Sequence, residues 1–342
     1  MLKKVVTAAS SIAISATLLT GCSTGNDKSK ELDKVTIAEV THSVFYAPQY
    51  AAITKGFFEE EGIKIDTINT QGADKTMAAL ISGEADVGLM GPEASIYVHS
   101  KDKDDYAINF AQLTKRDGSF LIAREKMPNF KYEDLKGKEI LGGRKGGMPL
   151  MTFEYVLKQK GLAIGENTKD GNVNVRTDVQ FGVMAGAFAG GEADFTTAFE
   201  PTATTMEKEG SGHIVASIGK DSGEIPFTAY SATKSYLENN PDLIQRFTNA
   251  VYKGQLWVQK ASDREIAEAM KPFFEDISIE DLTTVVNRYK SIDAWSQDPI
   301  LKKESLDRLV AVMKEAKELD KDVSYDDIVN TDFANNALKN IK

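Results

Sequence analysis

Apolar and polar positions along the chain alternate between short extended runs and longer helical ones. Residues 35–40 are rich in β-branched side chains and predict a strand; 47–60 carry helical spacing that Gly62 stops, and 63–68 are again extended. Residues 74–82 predict a helix opened by Gly72-Ala73-Asp74 and closed by Gly83, leading into a short buried strand at 87–90. Further on, 140–142 predict a strand, 143–148 a glycine-rich loop, and 149–158 a helix ended by Gly161. From Lys234 the pattern is almost wholly helical, with periodic apolar residues over 243–258, 279–289 and 301–319. Alternation of this kind predicts an α/β protein built on doubly wound, mostly parallel sheets flanked by helices.

One tetrapeptide repeats. Gly83-Glu84-Ala85-Asp86 recurs 108 residues later as Gly191-Glu192-Ala193-Asp194. Each copy follows a small-residue helix containing Met-Ala and leads into a strand and then a Glu/Pro pair, Pro92-Glu93 and Glu200-Pro201. Any helix-to-strand turn favours Gly and Asp, but the matching flanks argue for a duplicated unit. Two such units, each too small to cover both faces of its sheet, predict two lobes around a cleft. The expected division is 34–121 with 230–342 for the first lobe, including the C-terminal helices packed around it, and 122–229 for the second. The chain is expected to cross near 119–124 and return near 227–232, and two crossovers make a hinge.

The N-terminal end changes the picture. Lys3 and Lys4 precede an apolar, small-residue run over 5–19, too short to span a bilayer, so 1–21 reads as a secretion signal. The one Cys of the chain follows it, and Leu19-Thr20-Gly21-Cys22 resembles the bacterial lipobox, in which the thiol takes a diacylglycerol. Residues 22–33, polar and flexible in composition, read as a lipidated tether, and localisation is expected on the outer face of the cell membrane, anchored through Cys22. Without residues 1–21, 39 basic residues face 51 acidic ones, a net charge of −12 that disfavours nucleic acid. With one Cys, and with His42, His99 and His213 widely spaced, neither a disulfide nor a metal centre is expected, and no cofactor is called for.

Several segments together carry a resemblance: Tyr46-Ala-Pro-Gln-Tyr50 with Lys55-Gly-Phe-Phe-Glu-Glu-Glu-Gly62, then residues 77–91, Asp134-Leu-Lys-Gly-Lys138, Ala232-Thr-Lys-Ser-Tyr236 and Asn240-Pro-Asp242. In order and spacing the chain resembles periplasmic-type binding proteins for nitrate, taurine, alkyl sulfonates and the pyrimidine precursors of thiamine. The resemblance implies the two-lobed periplasmic-binding-protein fold and a monomer that captures a small organic nutrient. It further implies delivery to an ABC permease with its ATPase, and no catalysis. A pyrimidine-synthase-like enzyme of related fold is the rival of another class; its cysteine-rich cluster has no counterpart here. A surface adhesin or sensor is a second rival.

Ligands of such lobes sit outside the carboxyl ends of the strands, which singles out the loops 41–47, 71–74, 91–93, 114–120, 143–149, 180–182 and 199–201. His42, Phe45 and Tyr46 could give an aromatic wall with a polar edge, or else a helix cap and core packing. Arg144, Gly146, Gly147 and Met148 belong to a loop whose N–H groups are uncovered by side chains; its missing Gly-Lys-Ser/Thr ending argues against nucleotide hydrolysis. Gly91, Thr114 and Asp117 complete the rim. Glu93 and Glu200 stand at equivalent strand ends; opposite Phe181, Phe199, Phe227 and Tyr230 they suit a flat amine-bearing ring, an aminopyrimidine or thiamine-precursor-like heterocycle, before a sulfonate, taurine or nitrate. Either glutamate could instead cap a helix or pair with Arg116 or Arg144.

Overall fold

The computed structural model describes residues 31–101 and 105–341. The signal, Cys22 and nearly all of the tether lie outside the described residues. Among the described residues, ten strands form two five-stranded sheets: β1 (Asp33–Glu39), β2 (Ile63–Asn69), β3 (Val87–Met90), β4 (Ala107–Thr114), β5 (Ser119–Ala123), β6 (Glu139–Leu141), β7 (Asn174–Arg176), β8 (Phe195–Phe199), β9 (His213–Ser217) and β10 (Thr228–Thr233). The first sheet runs β2-β1-β3-β10-β4 and the second β7-β6-β8-β5-β9. In each, the fourth strand is reversed: β10 pairs antiparallel with β3 and β4, and β5 with β8 and β9. The others point one way, so each lobe is a mixed, mostly parallel sheet flanked by helices.

The chain passes between sheets at residues 115–118 and 218–227. The stretches 119–124 and 227–232, read from sequence as the crossings, are therefore mainly the reversed strands themselves, and the expected boundaries at 121/122 and 229/230 fall inside β5 and β10. A strand that begins at a crossover has the same apolar content as the crossover's flank, so periodicity does not separate them.

The repeated tetrapeptide does the same job in each lobe. Gly83 and Gly191 take left-handed backbone at φ 75° and 99°, which a Cβ resists, and so turn the chain out of the helices Ala73–Ser82 and Met184–Ala189. Asp86 then clasps the middle of β1: its carboxylate accepts the Thr36 N–H at 2.8 Å while its own N–H donates to the Thr36 carbonyl at 3.0 Å. Asp194 does the same at the start of β6, both bonds to Glu139 being 3.0 Å.

The predicted helix over 47–60 is two, Ala47–Thr54 and Phe57–Glu60, because Gly56 between them is left-handed at φ 75°. The helix Pro241–Lys260 buries Ile244, Phe247, Val251 and Val258 along one face, against Ala47–Thr54. Not all the C-terminal helices keep to the first lobe, for Lys303–Glu315 also packs on Met148–Gln159 of the second. One apolar cluster runs through both lobes, from Phe45, Tyr289 and Trp295 to Phe120, Met148, Met184 and Phe188. Burying each such side chain favours the folded state by about 1.5–3 kcal/mol. Among the described residues no helix is long and apolar enough to cross a membrane.

Candidate functional site

Where the strand ends of the two sheets face each other, two aromatic rims meet. The short turn Val44–Tyr46 is started by Ser43, whose hydroxyl accepts the Phe45 N–H at 3.2 Å and donates across the cleft to the Glu200 carbonyl at 3.1 Å. It holds the Phe45 ring 5.9 Å from Phe199, 5.8 Å from Phe227 and 5.1 Å from Tyr289, centre to centre. Phe199 also meets Phe227 at 6.0 Å and the half-exposed Phe181 at 5.7 Å, edge-on. These are favourable aromatic geometries. Because rings of opposite lobes touch, a molecule reaches this seam only if the lobes part. Two recesses lie at the margins of the seam, about 220 Å³ between Thr204, Lys208, Asp281 and Val285, and about 140 Å³ between Gly146, Met151, Glu154 and Glu318.

The two glutamates, each beside the proline at the start of a cleft helix but one residue out of register in the repeat, have opposite surroundings. Glu200, 1 % exposed, accepts from the Arg288 guanidinium at 2.6 Å through Oε1 and from the Thr204 N–H at 2.8 Å through Oε2, capping the helix Thr202–Glu209. Its own N–H donates to the Tyr289 hydroxyl at 3.1 Å. It is thus the helix-capping, arginine-paired alternative, with Arg288 rather than Arg116 or Arg144 as partner. Arg288 also pairs with Glu207, and nearby Lys208 meets Asp281 at 2.7 Å. Since the helix Ile279–Ser291 packs on the first lobe, these contacts clasp the lobes along one margin.

Glu93, 3 % exposed, begins the helix Glu93–His99 and folds back over Gly91, where a Cβ would come within 1.8 Å of its carboxylate. Its Oε2 is buried with no hydrogen-bond partner among the described residues. Burial pushes its pKa up to about 7, against the opposing pull of its own N–H, Arg144, and the N–H groups of Ala94 and Met148. Met148 starts a helix of the opposite lobe, so Glu93 faces across the cleft. Along the same margin the Tyr97 hydroxyl donates to the Gly146 carbonyl at 3.0 Å, and the exposed Arg144 lies 3.9 Å from Asp74. Tyr46, fully buried, has its hydroxyl proton held on by burial and by the charges of Glu39 and Glu93.

The structure thus brings Phe45, Tyr46, Phe181, Phe199 and Phe227 to one seam, with Gly91, Glu93, Arg144, Gly146, Gly147 and Met148 at one margin. Four expected residues have other engagements. The His42 ring stacks on Phe274 at 4.6 Å and bonds to the Phe273 carbonyl at 2.8 Å, within the first lobe. Tyr230 is core, its hydroxyl donating to Gln49 at 2.9 Å. Thr114 bonds Thr228 at 2.6 Å where strands end. Asp117 shapes the crossover, one oxygen accepting from the N–H and hydroxyl of Ser119, both at 2.6 Å, while the other has no partner among the described residues; burial takes its pKa to about 7.

Sequence reasoning missed Ser43, Tyr97, Arg288 and Tyr289. Tyr97 carried a signal, since it lies four residues after Glu93 on one helix face. Arg288 carried none. No cluster of three or more His, Cys, Asp or Glu suited to a metal occurs among the described residues.

Comparison with known proteins gives a family and a fold. The profile of the family described as NMT1/THI5 like matches residues 44–264. A Bacillus subtilis (strain 168) protein named "Putative binding protein YtlA" is 45 % identical over 303 residues, covering 89 % of each chain. The nitrate-binding protein NrtA from Synechocystis PCC 6803 superposes with a TM-score of 0.69 at 15 % identity, over 91 % of this chain and 90 % of that one. The alkanesulfonate-binding protein SsuA from Xanthomonas axonopodis pv. citri, bound to MOPS, gives 0.67 at 15 % identity over 88 % and 99 %.

Proposed function

Because the chain belongs to the NMT1/THI5-like family and has the periplasmic-binding-protein fold, we propose that it is the solute-binding lipoprotein of an ABC importer. It is a binding protein, not an enzyme. On this reading it is held at the outer face of the membrane by lipid on Cys22. It closes on a small organic molecule and presents it to the permease and its ATPase. Replacing Cys22 by Ala then removes the acyl label and releases the protein into the medium; retention at the membrane speaks against the anchor.

For the cargo, we favour a flat heterocycle bearing an amino group, such as an aminopyrimidine related to thiamine precursors. The observation that carries it is the buried carboxylate of Glu93, with one oxygen unpartnered, beside an aromatic seam. An amino group supplies the missing donor and a ring face lies flat on Phe45 or Phe199. The relatives named for nitrate and alkanesulfonate take anions, which a carboxylate at this point repels.

Calorimetry with aminopyrimidines, taurine, alkanesulfonates and nitrate tests this. Aminopyrimidine binding should weaken by about 1–3 kcal/mol in Glu93→Gln, the cost of leaving a buried group unpaired. Sulfonate binding that Glu93→Gln leaves unchanged overturns the choice of cargo.

A further inference from the structure

Behind the seam lies a buried polar chain that the binding reading does not use. Glu39 ends β1 and is 1 % exposed. One of its oxygens accepts from the Gln49 amide, whose orientation is fixed because the Gln49 carbonyl takes the Tyr230 hydroxyl proton at 2.9 Å. The other oxygen is 3.0 Å from the Tyr50 hydroxyl, which is itself 3.0 Å from Nδ1 of His42. Nε2 of His42 is 2.8 Å from the Phe273 carbonyl, and a carbonyl only accepts, so that nitrogen carries a hydrogen.

The protons can be counted. Two contacts flank the Tyr50 oxygen, one to a carboxylate oxygen and one to a ring nitrogen. Each needs a proton between its atoms, since bare lone pairs at 3.0 Å repel. Tyrosine brings one. The second must sit on Nδ1 of His42, making it an imidazolium, or on Glu39, making it a carboxylic acid that donates to Tyr50. In both cases the group binds one proton more than an ionised glutamate beside a neutral histidine.

The elements around it favour keeping that proton. From β1 comes Glu39, whose Oε2 lies 3.5 Å from Nδ1 of His42. The turn Val44–Tyr46 contributes Tyr46 and β10 contributes Tyr230, both in the field of Glu39. From the turn Lys271–Phe273, Lys271 is turned onto the Glu275 and Ile277 carbonyls, at 2.6 and 2.7 Å. The hydrogen bond to Glu39 acts to raise the His42 pKa above 6.5, ahead of the opposing effect of partial burial.

We infer that Glu39, Tyr50 and His42 share one proton beyond the tyrosine's own at neutral pH, and that this proton positions the turn bearing Ser43, Phe45 and Tyr46. His42 leads directly into that turn. Releasing the proton leaves one of the two contacts at Tyr50 without a hydrogen and loosens the residue next to Ser43, which reaches across to Glu200. These are positioning residues; none of them needs to touch the cargo. The sign follows: stability from the shared proton is complete below the ordinary histidine value of about 6.5 and is lost as pH rises through the higher folded midpoint.

Long-range proton–nitrogen NMR of the labelled full chain tests this with no ligand, so its outcome is independent of the proposed cargo. At about pH 7.5 either both His42 ring nitrogens or the Glu39 carboxyl carbon should report a bound proton. The amides of Ser43 and Phe45 should shift with the same midpoint as His42. A neutral His42 beside an ionised Glu39 overturns the shared proton, and silent Ser43 and Phe45 amides overturn the positioning role. Glu39→Gln, which removes the charge that raises the His42 pKa, should lower the His42 midpoint by about one pH unit or more; Glu39→Ala makes the same test if that variant does not fold, and an unmoved midpoint in the folded variant counts against the inference.

Discussion

Each lobe sets a glutamate just beyond a strand that points at the cleft, yet one glutamate is satisfied and the other is not. Glu200 has a cation, a helix N–H and the Tyr289 hydroxyl around it, whereas one buried oxygen of Glu93 accepts no hydrogen bond among the described residues. The two units therefore carry the same residue type one register step apart, and long-range packing gave the two glutamates different work. In the second lobe the carboxylate builds the clasp; in the first it is left for a partner. A buried carboxylate oxygen left without a hydrogen bond is costly to the fold, which is a physical reason to assign it to binding.

The comparison breaks most visibly if Arg288 is removed. Arg288→Ala leaves a buried charge on Glu200 and should destabilise the protein by about 3 kcal/mol, the lower end for a broken buried pair because Arg288 itself is partly exposed. Urea unfolding reads this, and a loss under about 1 kcal/mol would mean that Glu200 is as loosely held as Glu93. Glu93→Gln should act in the other direction. Its folded pKa stands above the ordinary 4.5, so the folded state holds the proton longer than the unfolded one. Stability thus falls as pH rises from about 4.5 to about 7, by roughly 1–3 kcal/mol, and the glutamine variant should lose that slope in melting curves.

The repeat offers a sharper test at lower amplitude. Asp86→Asn and Asp194→Asn should each cost about 1 kcal/mol, and nearly the same, because each carboxylate holds one N–H of the neighbouring parallel strand in the same two-bond clasp. Markedly unequal losses would show that the equivalence is one of sequence only. Smallest of all, Lys208→Gln removes an exposed pair with Asp281 and should change stability by less than about 1 kcal/mol, an effect that vanishes in high salt.

Much of the fold was legible because it is written locally. A glycine after a small-residue helix and an aspartate before a strand are short-range instructions, and both copies were obeyed. So was the helical C-terminal third, apart from its reach onto the second lobe. The aromatic seam was legible too, since Phe45, Phe199 and Phe227 fall at strand ends. What was hidden depends on residues far apart. Arg288 meets Glu200 across 88 positions with no spacing to announce it, and the sequence offered Arg116 and Arg144 as equally good partners. His42 was drawn inward by Tyr50 and two phenylalanines more than two hundred residues away. Position at a strand end brings a side chain to the cleft's edge, while its neighbours decide which way it turns.

The reversed strand of the first sheet lies between β3 and β4, yet it is made after the whole second sheet. As the polypeptide is synthesised from its amino end, residues 119–217 hold every strand their sheet requires, while the earlier lobe waits with a gap in its middle. The part that emerges first is the last that can be completed, so this chain remains incompletely folded until most of its length exists.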